Sequence, residues 1–140
     1  MGDFRANSSK GRESSEPTIS LIGVVDDDES VRDALSSLLR SAGYKCAVFP
    51  SAELFLDSGC LCQTDCIVVD VRMPGMSGPD LQRRLRETNG SHPIIFITGH
   101  ADDLVRERVI KEGAIACLSK PFSDEALLGA IRLALEPSNH

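Results

Sequence analysis

The sequence predicts an α/β domain built on a doubly wound, five-stranded parallel sheet with five helices on both faces. Three observations point to it. Short apolar runs alternate with segments of helical period, which is the pattern of strands joined by right-handed helical crossovers. The 140 residues suffice for one proper core and are too few for two ordinary domains. Four apolar runs end abruptly in a reactive side chain: Val25 gives way to Asp26-Asp27, Val69 to Asp70, Ile97 to Thr98, and Ser119 to Lys120. In a parallel sheet those groups meet at one edge, where open α/β folds carry their ligand sites.

Residues 1–18 are rich in Ser, Lys, Arg and Glu with almost no large apolar side chains, which predicts a disordered tail; the folded domain is expected over 19–136, with a second tail at 137–140. Ile19 to Val25 is a nearly unbroken apolar run suited to a strand buried on both faces. Val31, Leu35, Leu38, Leu39 and Ala42 then recur at helical spacing, with Ser30 as the expected cap and Gly43 just past the end. Tyr44 to Phe49 reads as the second strand, and Ser51 is placed to cap a short helix through Phe55 and Leu56 that stops near Gly59. Cys66 to Val69 is a third strand ending at Asp70. Pro74, Gly75 and Gly78 force a loop before the helix of Leu81 and Leu85.

Pro93 to Ile97 supplies the fourth strand, and Asp102 to Lys111 a strongly charged helix whose apolar stripe is Leu104, Val105, Val109 and Ile110, with Gly113 as its terminator. Ala114 to Leu118 makes the fifth strand. Leu127, Leu128, Ile131 and Leu135 mark the closing helix before Pro137.

Composition narrows the function. Aromatic residues are 4% of the chain, which leaves an aliphatic core and no stacking surface for single-stranded nucleic acid. A net charge of -6 opposes direct binding to a phosphate backbone. No stretch approaches the roughly 18 consecutive apolar residues of a membrane span, and Met1-Gly2-Asp3 begins no signal peptide, so a cytosolic protein is expected. The five cysteines, at 46, 60, 62, 66 and 117, are an odd number without a secretory signal, and disulfides are not expected. Cys60, Cys62 and Cys66 match no paired zinc spacing and have no His nearby in sequence, so they read as small apolar filler. A dinucleotide fingerprint needs glycines after the first strand, where this chain has Asp26, Asp27, Asp28 and Glu29.

Each strand-end residue alone has an ordinary explanation. Acidic residues favour helix amino termini, Thr98-Gly99 can be a turn, and Lys120 before Pro121 can be a solvated strand end. Coincidence at four ends that the fold brings together explains less than a shared site does. Close carboxylates repel and raise the proton affinity of at least one of them unless a cation is present. Mg2+ suits such a set, because it is held by one or two carboxylates together with waters and phosphate oxygens.

The motifs Val25-Asp26-Asp27, Asp70-Val71-Arg72-Met73-Pro74-Gly75-Met76-Ser77-Gly78, Thr98-Gly99-His100 and Lys120-Pro121-Phe122 together resemble a response-regulator receiver domain of two-component signalling, over roughly Leu21 to Leu135. The loop wording is most similar to receivers that precede LuxR-type helix-turn-helix domains. The resemblance implies a flavodoxin-like strand order, 2-1-3-4-5. It implies that Asp70 accepts a phosphoryl group from a histidine kinase or phosphotransfer protein, that Asp27 and Asp70 ligate Mg2+ directly, that Asp26 acts through water, and that the backbone carbonyl of Arg72 completes the set. By the same likeness Lys120 and Thr98 read the phosphoryl oxygens, Lys120-Pro121 is cis, and phosphorylation drives a change of the surface from helix four to strand five, with homodimer formation as one outcome.

The chain departs from the receiver pattern at Cys117, three residues before the lysine, where receivers usually have Tyr or Phe. A thiol is too small to reproduce the swing of an aromatic ring, so output is expected to rely on the loop after Thr98 and the helix that follows. This departure sustains an alternative, a constitutive protein-binding module with a receiver fold. A phosphatase with an aspartyl nucleophile is disfavoured, since it needs an Asp two residues after the nucleophile and Arg72 stands there. No catalysis beyond the domain's own phosphorylation and dephosphorylation is expected. The sequence ends soon after the closing helix, which predicts either a stand-alone receiver or the front of a longer regulator.

Overall fold

Five parallel strands form one sheet: β1 (Leu21–Val25), β2 (Lys45–Phe49), β3 (Cys66–Asp70), β4 (Ile94–Thr98) and β5 (Ala116–Ser119), in the order β2-β1-β3-β4-β5. The computed structural model describes residues 19–88, 92–99 and 103–136; the tails expected at 1–18 and 137–140 lie outside them, as does the expected first helical residue, Asp102. The helices are α1 (Glu29–Ser41), α2 (Ala52–Asp57), α3 (Gly78–Glu87), α4 (Asp103–Lys111) and α5 (Asp124–Leu135). The expected fold class and strand order are both present.

Alternation along the strands sends side chains to two cores. Ile22, Val24, Cys66, Val68, Ile95 and Ile97 pack against Leu35 and Leu39 of α1 and Leu127 and Ile131 of α5. Val69, Phe96 and Cys117 face the other way, toward Phe55 of α2, Leu81 and Leu85 of α3, and Val109 of α4. Every residue of β3 and β4 is buried, which is why both runs are apolar up to their closing Asp70 and Thr98. Each fully buried Ile, Leu, Val or Phe contributes about 1.5–3 kcal/mol relative to exposure, so these strands anchor the sheet. β2 lies at an edge and shows Lys45 and Val48 to solvent.

Several expectations need correction. β1 begins at Leu21, because Ile19 is 54% exposed and outside the ladder. Tyr44 precedes β2; its N–H bonds to Leu39 O at 3.0 Å and closes α1 instead. β5 starts two residues later than expected, since the Ala114 N–H is spent on Val109 O of α4 at 2.9 Å. Asp28, not Ser30, caps α1: its Oδ1 accepts from the Ser30 N–H at 2.9 Å and from the Ser30 hydroxyl at 2.7 Å. Ser51 caps α2 as expected, accepting from Leu54 N–H at 3.1 Å.

The stripe expected on α4 is narrower than four residues. Val109 is buried and Val105 packs against the core, four apart on one face, whereas Leu104 and Ile110 are exposed. A 3-10 turn at Leu61–Gln63, which has no periodic signal, joins α2 to β3. Cys66 is buried filler, and burial pushes its thiol up to about 12. Cys60 is half-buried and Cys62 exposed, so the filler reading fails at Cys62, which lies on that turn and not in a strand. Among the described residues no helix is long and apolar enough to cross a membrane.

Candidate functional site

The strand order places β1 beside β3 at the sheet centre, with the chain leaving β1 to one side and continuing from β3 to the other. That reversal opens a crevice at the carboxyl ends of the strands. Asp26 follows β1 and is fully buried; its N–H bonds to Phe49 O at 3.1 Å, its Oδ1 accepts from Asp28 N–H at 2.9 Å, and Arg32 of α1 donates to its carbonyl at 2.8 Å. Asp70 ends β3, is 7% exposed, and accepts from Arg72 N–H at 3.2 Å. Asp27 stands at the solvent side. Carboxylate oxygens of Asp26, Asp27 and Asp70 all lie within 4.8 Å of one another.

Lys120 reaches this cluster from the end of β5. Its Nζ lies 3.3 Å from Asp26 Oδ2 and 3.4 Å from Asp70 Oδ2, so one ammonium bridges the two buried carboxylates. Burial, reinforced by the charge of Asp70, pushes the Asp26 carboxyl above the usual aspartate range, although the Asp28 amide and Lys120 act against it. Burial pulls Lys120 down, and the facing charges of Asp26 and Asp70 outweigh it and hold the ammonium above the usual lysine range. Three hard oxygen donors, one of them strongly desolvated, form a set that could hold a divalent cation.

Thr98 ends β4, 5% exposed, and is paired in the ladder with Ser119; its carbonyl accepts from Lys120 N–H at 2.7 Å. The structure thus brings Asp26, Asp27, Asp70 and Lys120 into one cluster and sets Thr98 on the strand between Asp70 and Lys120. Arg72 extends from the same loop with its side chain exposed, and the Lys120-Pro121 bond is cis. His100 lies outside the described residues.

The loop from β3 to α3 is held at both ends and at its tip. Val71 N–H bonds to Ile97 O at 2.9 Å, Gly78 N–H to Val71 O at 3.1 Å, and Met76 N–H to Glu53 Oε2 of α2 at 2.9 Å. Sequence reasoning missed Arg32, Glu53 and Arg106, the last of which reaches from α4 to β5. Glu53 and Met76 are 23 residues apart, and no local pattern signals their contact.

The family model for the response regulator receiver domain matches residues 22–132. The chain belongs to the response regulator receiver domain family. This receiver is 48% identical over 126 residues to the response regulator protein TmoT of Ectopseudomonas mendocina, covering 90% of this chain and 57% of that one. It is 41% identical over 114 residues to the transcriptional regulatory protein FixJ of Azorhizobium caulinodans, covering 81% of this chain and 54% of that one. Among solved structures, the response regulator StyR superposes with a TM-score of 0.78 at 47% identity, over 84% of this chain and 60% of that one. FixJ-N superposes with a TM-score of 0.78 at 34% identity, over 89% and 99%. The receiver spans about half the length of the curated relatives it matches. Receivers of response regulators generally bind Mg2+ and interact with histidine kinases, and they are not a conventional enzyme family.

Proposed function

We propose that this receiver is a phosphorylation-driven switch in which Asp70 takes a phosphoryl group from the phosphohistidine of a kinase or phosphotransfer protein. An Asp70 carboxylate oxygen forms the new P–O bond, the P–N bond breaks, and the departing imidazole nitrogen keeps the electron pair. One observation carries the reading: a nearly buried carboxylate at a strand end shares an ammonium with a second buried carboxylate, and a third stands beside them. Asp27 and Asp70 would hold Mg2+ directly, Asp26 through water, and the Arg72 carbonyl would complete the set. Bound there, the cation neutralises charge developing on the phosphoryl oxygens.

Lys120 then pairs with one phosphoryl oxygen and Thr98 donates to another. Reversing a 1:99 population takes about 5.5 kcal/mol of differential stabilisation, within reach of two such contacts to a dianion. The phosphorylated form alters the α4–β5 surface to control a partner or an output domain, homodimerises there, and works in the cytoplasm. The relatives named as transcriptional regulators favour control of transcription as the output.

Incubation with acetyl phosphate and Mg2+, followed by intact mass, tests the assignment. The wild type is expected to gain one phosphoryl group and Asp70→Asn none. A wild type that stays unmodified would favour the second reading, a constitutive binding module, which Cys117 in place of an aromatic residue supports.

A further inference from the structure

Position 117 is where this chain departs from the receiver pattern, and an arginine from α4 bonds to the strand at that point. Arg106 donates from Nη1 to the carbonyl of Cys117 and from Nη2 to Ser119 Oγ at 2.6 Å. Ser119 immediately precedes Lys120 and is paired across the sheet with Thr98. Lys120 N–H is in turn bonded to Thr98 O at 2.7 Å. One guanidinium therefore grips the segment of β5 that delivers Lys120 to Asp70.

A guanidinium suits this task because its donors form a rigid planar fork that holds two acceptors at a fixed separation. Its bonds are charge-assisted and roughly twice as strong as neutral ones. Besides Arg106, α4 is tied by Gln82 Nε2, which donates to Val109 O at 3.1 Å, and by Val105 and Val109 against the core, while Leu104 is 79% and Ile110 43% exposed on its outer side. A movement of β5 transmitted through Arg106 would reposition those apolar side chains on the surface.

We infer that Arg106 is a positioning residue that couples the strand-end site to α4, taking the place of the aromatic side chain that position 117 lacks. The inference rests on the reading of Asp70 as phosphoacceptor. A phosphoryl group on Asp70 attracts Lys120 and Thr98, the paired ends of β4 and β5 shift with them, and α4 follows because Arg106 holds Ser119 and the Cys117 carbonyl. Removing the guanidinium leaves the chemistry in place and disconnects α4 from it.

Hydrogen exchange of the α4 amides, read before and after acetyl phosphate with Mg2+, tests this, with intact mass on the same samples to score phosphorylation. In the wild type the α4 exchange rate is expected to change by at least about threefold on phosphorylation, as local opening equilibria shift. Arg106→Ala should be phosphorylated to the same extent yet show no change in α4 between the two states. Arg106→Lys, whose single ammonium cannot span both acceptors, should show a reduced response, as should Ser119→Ala. A phosphorylated Arg106→Ala whose α4 responds as the wild type does would overturn the inference, even if α4 is looser in both states. Should Arg106→Ala fail to fold, an undiminished response in Ser119→Ala overturns it. A wild type that takes no phosphoryl group overturns the reading of Asp70 and this inference with it, and intact mass separates that outcome from the others.

Discussion

At Gly78 the backbone of Asp70 leaves no room for a methyl group. A Cβ there would lie 2.5 Å from Asp70 O and 2.9 Å from Phe96 Cε1, and both of those atoms are fixed by the sheet and the core. At Gly75 the constraint differs: φ is +77°, and the nearest atom, 2.7 Å away, is Oε2 of the flexible Glu53 side chain. Gly78→Ala is therefore expected to destabilise by about 2 kcal/mol through overpacking, and to slow phosphorylation because Asp70 or α3 must shift. Gly75→Ala should cost about 1–2 kcal/mol from its left-handed backbone and break the Glu53 bond to Met76. Urea denaturation and the rate of phosphoryl uptake check both, and a Gly78→Ala variant with wild-type stability would dismiss the close approach as a constraint. The sequence marks both glycines as loop punctuation. It does not show that Gly78 presses on a residue eight positions earlier, since that depends on the three-dimensional course of the loop.

Among the elements, α3 is the one whose start sets the loop that follows Asp70. Ser77 Oγ accepts from Asp80 N–H at 3.1 Å while Asp80 Oδ2 accepts from Ser77 N–H at 3.1 Å, a reciprocal capping box. Hydrogen bonds from the Ser77 backbone and side chain hold the Asp80 carboxyl below the usual range. Ser77→Ala should cost about 1 kcal/mol by loss of the cap, seen as a lower urea midpoint with an unchanged slope. An unaltered midpoint would mean that the loop's other ties position α3 without the cap. Strands and helices that bury a regular face were legible in advance, β3 and β4 above all. The limits of β5 were not, because Ala114 is claimed by α4 and only the folded chain shows which partner takes its N–H. The width of the α4 stripe was overread for a related reason: adjacent apolar residues such as Leu104 and Val105 cannot both face the sheet.

Over the whole molecule, what sequence reading captured was convergence: four strand ends carry the reactive groups, and the parallel order β2-β1-β3-β4-β5 gathers them at one edge. What it did not capture was connection, since Arg106 and Glu53 act across 13 and 23 residues. The gathered charge has a thermodynamic consequence. Burial raises the Asp26 carboxyl above its ordinary value of 3.8, so the folded state binds that proton more tightly than the unfolded chain does. Stability from this group is therefore lost as pH rises from 3.8 through the raised value, and at neutral pH the ionised Asp26 is a cost. Lys120 opposes it with the other sign, contributing stability that is complete below 10.5 and lost only above that, so it adds no slope near neutrality. A divalent cation bound at this carboxylate cluster would offset the cost of ionised Asp26 and compete with its proton. At a hundredfold excess over its dissociation constant Mg2+ should stabilise the fold by about 2.7 kcal/mol, read as a higher thermal midpoint in Mg2+ than in EDTA at pH near 7. That difference should shrink as pH is lowered toward the raised Asp26 value. Asp26→Asn should melt above the wild type in EDTA, because the desolvated charge is gone, and should bind Mg2+ at least about tenfold more weakly, in the range seen when a supporting group is lost. A Mg2+ shift that stays constant across pH would show that Asp26 does not share the cation, and the metal would then rest on Asp27, Asp70 and the Arg72 carbonyl.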